Sequence, residues 1–250
     1  MVLLVAGMGK RLQPLTQDLP KCMVPLHGRP LVSWQMAAAR QAGIEEFVLV
    51  GGYRADRLAG LGARVLRNPD YETTNMVESL WCARESFDQD VLISYGDILC
   101  KPELIAAAAE AAHDISVAVD THWRSYWEQR FSDPLSDAES LSLEPDGRIR
   151  SVGQKVKTLD EIQAQFMGLI ALSRRGSGTL MARYEAQRGG ADPKSRRMFM
   201  TDLLQGAVSA GVPVHAVPVA GGWLEVDSLS DLELGLRLTR PLGDVLEVLR

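Results

Sequence analysis

A short, continuously apolar run, Val2 to Ala6, stops at Gly7-Met8-Gly9 and is followed at once by Lys10 and Arg11. An apolar run of this length ending in glycine reads as a buried strand of a parallel sheet. Glycines at the carboxyl end of such a strand let backbone N–H groups approach anionic oxygens closely. Arg11 and Lys21 add positive charge over the same place. The segment therefore points to an open α/β sheet with a phosphate-binding turn at its edge. Taken alone, Gly-x-Gly leaves a plain strand-to-loop turn ahead. Two better-known phosphate motifs fail. A dinucleotide fingerprint needs glycine where Leu12 stands, and a P-loop needs Ser or Thr where Arg11 stands.

The rest of the first half alternates in the way such a sheet requires. Pro30 and Gly43 bracket a helix over 31–41, and strands are expected at 47–50, 63–66, 91–95 and 115–119. A short helix is expected at 54–61. Asn75 can cap a helix running to about Phe87, and Pro102 opens another to Ala112. Strand–helix alternation from residue 2 to 120 is the pattern of a mostly parallel sheet. The second half is less regular. A hairpin is expected over 141–152 around Pro145-Asp146-Gly147 and strands at 166–172, 212–219 and 224–226. Helices are expected at 178–187, 200–210 and 229–240, and a C-terminal helix at 241–250. Residues 188–197 read as a mobile loop, with Arg196 and Arg197 solvated. With no repeat or linker, a single domain over 1–240 is expected, divided into a nucleotide-binding half (1–120) and an acceptor-binding half (121–240).

Bulk properties exclude several classes. The net charge of −5 gives no basic footprint for nucleic acid. Cys22, Cys82 and Cys100 are an odd, unpaired set, which argues against disulfides and zinc. No apolar stretch is long enough for a membrane span, and the apolar start is too short for a signal peptide. The expected location is the cytoplasm, with homo-oligomerisation left open. The first strand begins unusually close to the chain start, so a longer native N-terminus is also left open.

Over a longer window the first motif becomes specific. Leu4 to Lys21 matches, at every specified position, L-x-A-G-x-G-x-R-L-x-P-L-T-x-x-x-P-K. This resembles the signature of the nucleotidyltransferases that include sugar-nucleotide pyrophosphorylases and phosphocholine cytidylyltransferases. Gly28-Arg29-Pro30-Leu31 resembles the family's G-x-P-[LM]. The resemblance implies a Rossmann-like three-layer α/β/α fold with a mixed, mostly parallel sheet, of the nucleotide-diphospho-sugar transferase type. It also implies that Ala6, Gly7, Met8, Gly9 and Lys10 wrap the nucleotide phosphates, with Gly52 contributing. Arg11 would meet the leaving pyrophosphate, and Lys21 the α-phosphate and the acceptor.

Asp97 ends a buried strand, a position that faces the ligand crevice of an open α/β sheet. Its bland role is a turn cap. Asp227 lies in Trp223-Leu224-Glu225-Val226-Asp227-Ser228, where strand alternation puts Glu225 and Asp227 on one side. Its bland role is an N-cap for the helix near Leu229, with Asp231 a first-turn dipole partner. The segment resembles the family's W-x-[ED]-[IV]-D-[TS]. That likeness implies that Asp97 and Asp227 are ligands of Mg²⁺, a cation suited to few carboxylates and many phosphate oxygens, with Glu225 toward the acceptor.

Asn68 to Trp81 resembles the N-P-x-[YF]-x-x-[TS]-N-x-x-[YE]-S-L-W segment of the phosphocholine and 2-aminoethylphosphonate cytidylyltransferase branch. This implies that Asn75 and Ser79 lie against the nucleotide; helix capping and packing are the equal alternative. Trp123, Tyr126 and Trp127 have the composition of an aromatic cage for a quaternary ammonium, against ordinary packing. By resemblance Lys155 holds the acceptor's phosphate, with Lys157 a substitute, and Thr201-Asp202 lies near the acceptor. The implied reaction is transfer of CMP from CTP to a small phosphorylated or phosphonylated amine. A hexose-1-phosphate or inositol-phosphate nucleotidyltransferase is the alternative, and a nucleotide-binding module without turnover a second one.

Overall fold

The computed structural model describes residues 1–189 and 193–249. Among these, fifteen strands and seven α-helices are formed. They are β1 (Val2–Val5), β2 (Pro25–Leu26), β3 (Arg29–Pro30), α1 (Leu31–Gln41), β4 (Val48–Gly51), β5 (Arg64–Arg67), α2 (Met76–Cys82) and β6 (Val91–Tyr95). Next come β7 (Ile98–Cys100), α3 (Pro102–Ala109), β8 (Ile115–Asp120), α4 (Arg124–Arg130), β9 (Leu141–Leu143), β10 (Ile149–Val152) and β11 (Gln165–Leu172). The chain closes with α5 (Arg174–Arg188), α6 (Met200–Ser209), β12 (His215–Val219), β13 (Trp223–Glu225), α7 (Leu229–Leu238), β14 (Thr239–Leu242) and β15 (Val245–Val248).

Seven strands make the central sheet in the order β12-β8-β11-β6-β1-β4-β5. All neighbours run parallel except at β11, which is antiparallel to both β6 and β8. Apolar residues alternate across the sheet as the strand period dictates. Leu3, Val5, Leu49 and Leu92 pack with Trp34 and Met36 of α1 and Ile105 of α3 on one face. Val2, Val50, Ile93 and Val117 pack with Leu80 of α2, Tyr184 of α5 and Leu204 of α6 on the other. The result is the expected three-layer α/β/α domain with a mixed, mostly parallel sheet.

Three expectations need correction. Residues 241–250 hold no C-terminal helix among the described positions; β14 and β15 pair as an antiparallel hairpin, and Val245, Leu246 and Val248 are buried. Gly243 turns this hairpin, and the alternation around it is too short to stand out from a helix period. The helix expected at 178 begins at Arg174, capped by Ser173, whose hydroxyl accepts from Gly176 N–H; Gly176 and Gly178 in its first turns hide its start. The stretch expected to be a mobile loop is in part ordered: α5 reaches Arg188, residues 193–197 form a 3₁₀ turn, and Arg196 is ion-paired rather than solvated. Residues 190–192 lie outside the described residues. No described helix is long and apolar enough to cross a membrane.

Candidate active site

The parallel strands β1, β4 and β6 end together, because Val5 is in register with Gly51 and Leu4 with Tyr95. Ligands of open α/β sheets bind at this carboxyl edge. Here a cavity of about 700 Å³ opens, lined by Ala6, Gly7, Met8, Gly9, Lys10, Arg11, Lys21, Asn75, Ser79, Asp97 and Asp227. The turn after β1 is held in shape by its own contacts. Lys21 N–H donates to Gly7 O, and the Thr16 hydroxyl donates to Gly9 O at 2.8 Å. Gly9 has a φ of 70°, and a Cβ there would come within 3.0 Å of Lys21 Cβ. Only glycine fits both the backbone and the close approach.

The two aspartates converge by separate routes. Asp97 follows β6. The antiparallel pairing of β13 with β7 sets Glu225 opposite Ile98, and Val226 N–H donates to Asp97 O at 2.9 Å. One carboxylate oxygen from each of Asp97, Glu225 and Asp227 lies within 4.8 Å of the others. Lys21 Nζ donates to Asp97 Oδ2 at 2.5 Å and also to Asp227 Oδ1, while Arg11 Nη2 donates to Asp227 Oδ2 at 2.7 Å. Burial alone would lower the Lys21 ammonium, but Asp97, Asp227 and Glu225 together hold it above the usual lysine range. Burial would raise Asp227, yet Lys21 and Arg11 outweigh it and hold the carboxyl below its ordinary value. Burial is the main reason the Glu225 carboxyl is pushed up to about 8; Arg130 opposes the rise and Asp97 and Asp227 add to it.

The residues present fit a divalent cation. Asp97 Oδ1 is buried and without a hydrogen-bond partner, the state of an acceptor awaiting a ligand. The donor set is all oxygen, which suits Mg²⁺. In this structure the Lys21 ammonium supplies the positive charge between Asp97 and Asp227.

Behind this centre, Arg130 went unread in the sequence, and Asp231 was read only as a helix-dipole partner. Arg130, wholly buried, donates to Glu225 Oε2 at 2.6 Å and to Asp231 Oδ1 at 2.9 Å. Asp231 in turn accepts from the backbone N–H groups of Asp227 and Ser228. Ser228, not Asp227, caps α7, and Asp231 completes the capping box, so Asp227 is left free to face the cavity. Tyr71, Thr74 and Tyr95 also line the cavity. Tyr71 lay within the segment that carried the branch likeness, where an aromatic at the fourth position was the available signal.

Other expected site residues fall differently. Asn75 both caps α2, accepting from Met76 N–H at 3.0 Å, and lines the cavity, so the two readings coexist. Ser79 lines it too, accepting from Asn68 Nδ2 at 3.0 Å. Gly52 does not line it. A Cβ at Gly52 would lie 2.5 Å from Tyr71 Cβ, so its role is to let Tyr71 pack against the turn. Trp123 and Trp127 do not form an open cage. They are 3% and 4% exposed, as the ordinary-packing alternative has it, and the Arg130 guanidinium lies over the Tyr126 and Trp127 rings, where a cage would hold a ligand cation. Lys155 is exposed after β10, and Thr201 is buried against Gly153.

Comparison with known proteins identifies the family. Residues 1–192 match the MobA-like NTP transferase domain. The chain is 35% identical over 247 residues to CTP:phosphoglutamine cytidylyltransferase of Campylobacter jejuni, covering 93% of this chain and 97% of that one. The solved CTP:phosphocholine cytidylyltransferase from Streptococcus pneumoniae superposes with a TM-score of 0.73 at 16% identity, covering 94% of this chain and 96% of that one. The inositol-1-phosphate CTP transferase from T. maritima superposes with a TM-score of 0.70 at 24% identity, covering 94% and 93%. These two solved structures establish the fold alone. With the glycine turn, the cationic pair and the converging carboxylates at one sheet edge, this chain belongs to the MobA-like NTP transferase domain family.

Proposed function

We propose that the chain is a cytidylyltransferase that moves CMP from CTP to a small acceptor bearing an ionised phosphate or phosphonate, with release of pyrophosphate. The observation that carries this is the shared cavity: the turn of residues 6–11 and the carboxylates of Asp97 and Asp227 line the same space. The choice of CTP is supported by the cytidylyltransferase relative that spans nearly the whole chain.

The acceptor oxygen is already ionised near neutral pH, so no general base is required. Catalysis rests on in-line placement and on neutralising charge. The acceptor oxygen attacks the α-phosphorus, the bond from that phosphorus to the bridging oxygen breaks, and pyrophosphate leaves with the electron pair. Backbone N–H groups of the turn cradle the phosphates. Arg11 stands over the leaving pyrophosphate, and Lys21 over the transferring group. A Mg²⁺ ion held by Asp97 and Asp227 supplies further neutralisation of phosphate charge when bound. Residues 1–120 then serve the nucleotide and 121–240 the acceptor, Lys155 among them.

The first acceptor to test is phosphoglutamine, on which the relative acts. Phosphocholine is less favoured, since Arg130 already occupies the aromatic cluster that would have caged a quaternary ammonium. Pyrophosphate release measured across the common NTPs with phosphoglutamine, phosphocholine, 2-aminoethylphosphonate and a hexose 1-phosphate decides the matter. CTP with an amine-bearing acceptor should be fastest. A preference for UTP or dTTP with the hexose phosphate would refute the proposal.

A further inference from the structure

Glu78 lies one residue before Ser79 in α2, is 2% exposed, and is held by donors from two other parts of the chain. Tyr184 donates to its Oε2 at 2.5 Å, Arg188 to both oxygens at 2.7 and 2.9 Å, and Arg196 to Oε1 at 2.9 Å. Arg196 also donates to Asp70 at 2.5 Å. A buried ion-pair network is a weak source of net stability, because desolvation consumes most of the attraction. Charge-assisted bonds from two arginines and a tyrosine to one carboxylate nonetheless fix its surroundings, although Arg196 Nε is left without a partner.

The bonds held here join one wall of the cavity to the turn after β10. At the nucleotide side, Asn75 N–H donates to Arg196 O at 3.1 Å, and Arg197 Nε donates to Thr73 O at 3.1 Å. These bonds tie the 196–197 backbone to the stretch that carries Thr74, Asn75 and Ser79 into the cavity. A few residues on, Thr201 in the first turn of α6 packs against Gly153, where a Cβ would lie 2.5 Å from Thr201 Cβ. Gln205 Oε1 of the same helix accepts from Val152 N–H at 2.9 Å. Val152 and Gly153 lead directly into Lys155.

We infer that Glu78 and Arg196 are positioning residues. They clamp the 196–201 stretch between the nucleotide side and the acceptor loop, so that both substrates depend on one support. This rests on the functional reading above, in which Asn75 and Ser79 face the nucleotide and Lys155 the acceptor. Release of the clamp loosens Asn75 at one end and the Gly153–Lys155 turn at the other.

The test is steady-state kinetics of R196M and R196K in the full chain, with CTP and acceptor varied in turn and thermal midpoints recorded alongside. R150M, which breaks only the exposed Arg150–Glu144 pair after β9, is the control. R196M should raise KM for CTP and KM for the acceptor together, each by about tenfold, with kcat less affected. R196K, which keeps the charge and loses the fork, should fall between, and it provides the same comparison if R196M does not fold. R150M should match the wild type. A lowered thermal midpoint with both KM values unchanged, or a rise in the CTP value alone, would overturn the inference. A wild-type chain that transfers nothing from CTP would instead overturn the functional reading, so the two failures are distinct.

Discussion

Lys21 Nζ lies 2.5 Å from Asp97 Oδ2, while Asp97 Oδ1 is buried and has no hydrogen-bond partner. One lysine thus holds together carboxylates that would otherwise repel, and leaves an acceptor lone pair uncommitted. K21M removes the only contact cation that touches both Asp97 and Asp227 among the described residues. Its thermal midpoint should rise more steeply with added Mg²⁺ than that of the wild type, because the ion then supplies the missing charge. Turnover should fall by about 10²-fold or more. Identical Mg²⁺ dependence of the midpoint in both proteins would count against a shared seat.

Asp231 accepts from the backbone N–H groups of Asp227 and Ser228, and Arg130 is held between Asp231 and Glu225. Partners behind a metal ligand typically matter by about 10–100-fold in metal affinity or activity. D231N should therefore raise the Mg²⁺ concentration for half-maximal rate by that order, with a smaller effect at saturating metal. R130M is a stability variant, since it strands buried carboxylates; a loss of about 3–5 kcal/mol is expected in denaturant melts.

At Gly9, alanine meets both a φ of 70° and the Lys21 side chain. The backbone strain costs on the order of 1 kcal/mol. The push on Lys21 should appear as weaker CTP binding in titration calorimetry. An alanine variant with unaltered CTP affinity would show that the turn does not set the nucleotide site.

The Glu78 carboxyl is lowered to about 2. Burial alone would raise it, but Arg188, Arg196 and Tyr184 as donors outweigh burial. A depressed folded-state value means the stabilisation is fully present above the ordinary carboxylate pKa of about 4.5 and is lost as pH falls from there toward 2. Urea midpoints of wild type and E78Q should therefore differ at neutral pH and draw together below about pH 4. A difference that stays constant down to pH 3 would contradict the assignment.

Local signals sufficed where one segment carries the whole feature. The turn from Leu4 to Lys21 is read from an apolar strand ending in two glycines and from its likeness to the family signature, and the site forms around it. The Asp97–Asp227 centre could be named because each aspartate sits in its own recognisable segment, although their meeting depends on the β7–β13 pairing. What escaped the sequence was long-range. Arg130 follows a cluster of aromatic residues, and nothing nearby says that it pairs with residues 95 and 101 positions away. The same rings read as a ligand cage because composition cannot tell whether the cation they face is the protein's own. Arg196 read as solvated for a related reason: its partners, Asp70 and Glu78, belong to the other half of the chain.

The central claim is that Asp97 and Asp227 act as a unit on a nucleotide held by the Gly7–Arg11 turn. Its most direct test is single-turnover CMP transfer from CTP at saturating Mg²⁺, compared among wild type, D97N, D227N and the double variant. Groups that act as a unit are strongly non-additive. Each single variant should lose about 10²-fold or more, and the double variant should be little worse than either. Near wild-type transfer by D97N or D227N would contradict the account.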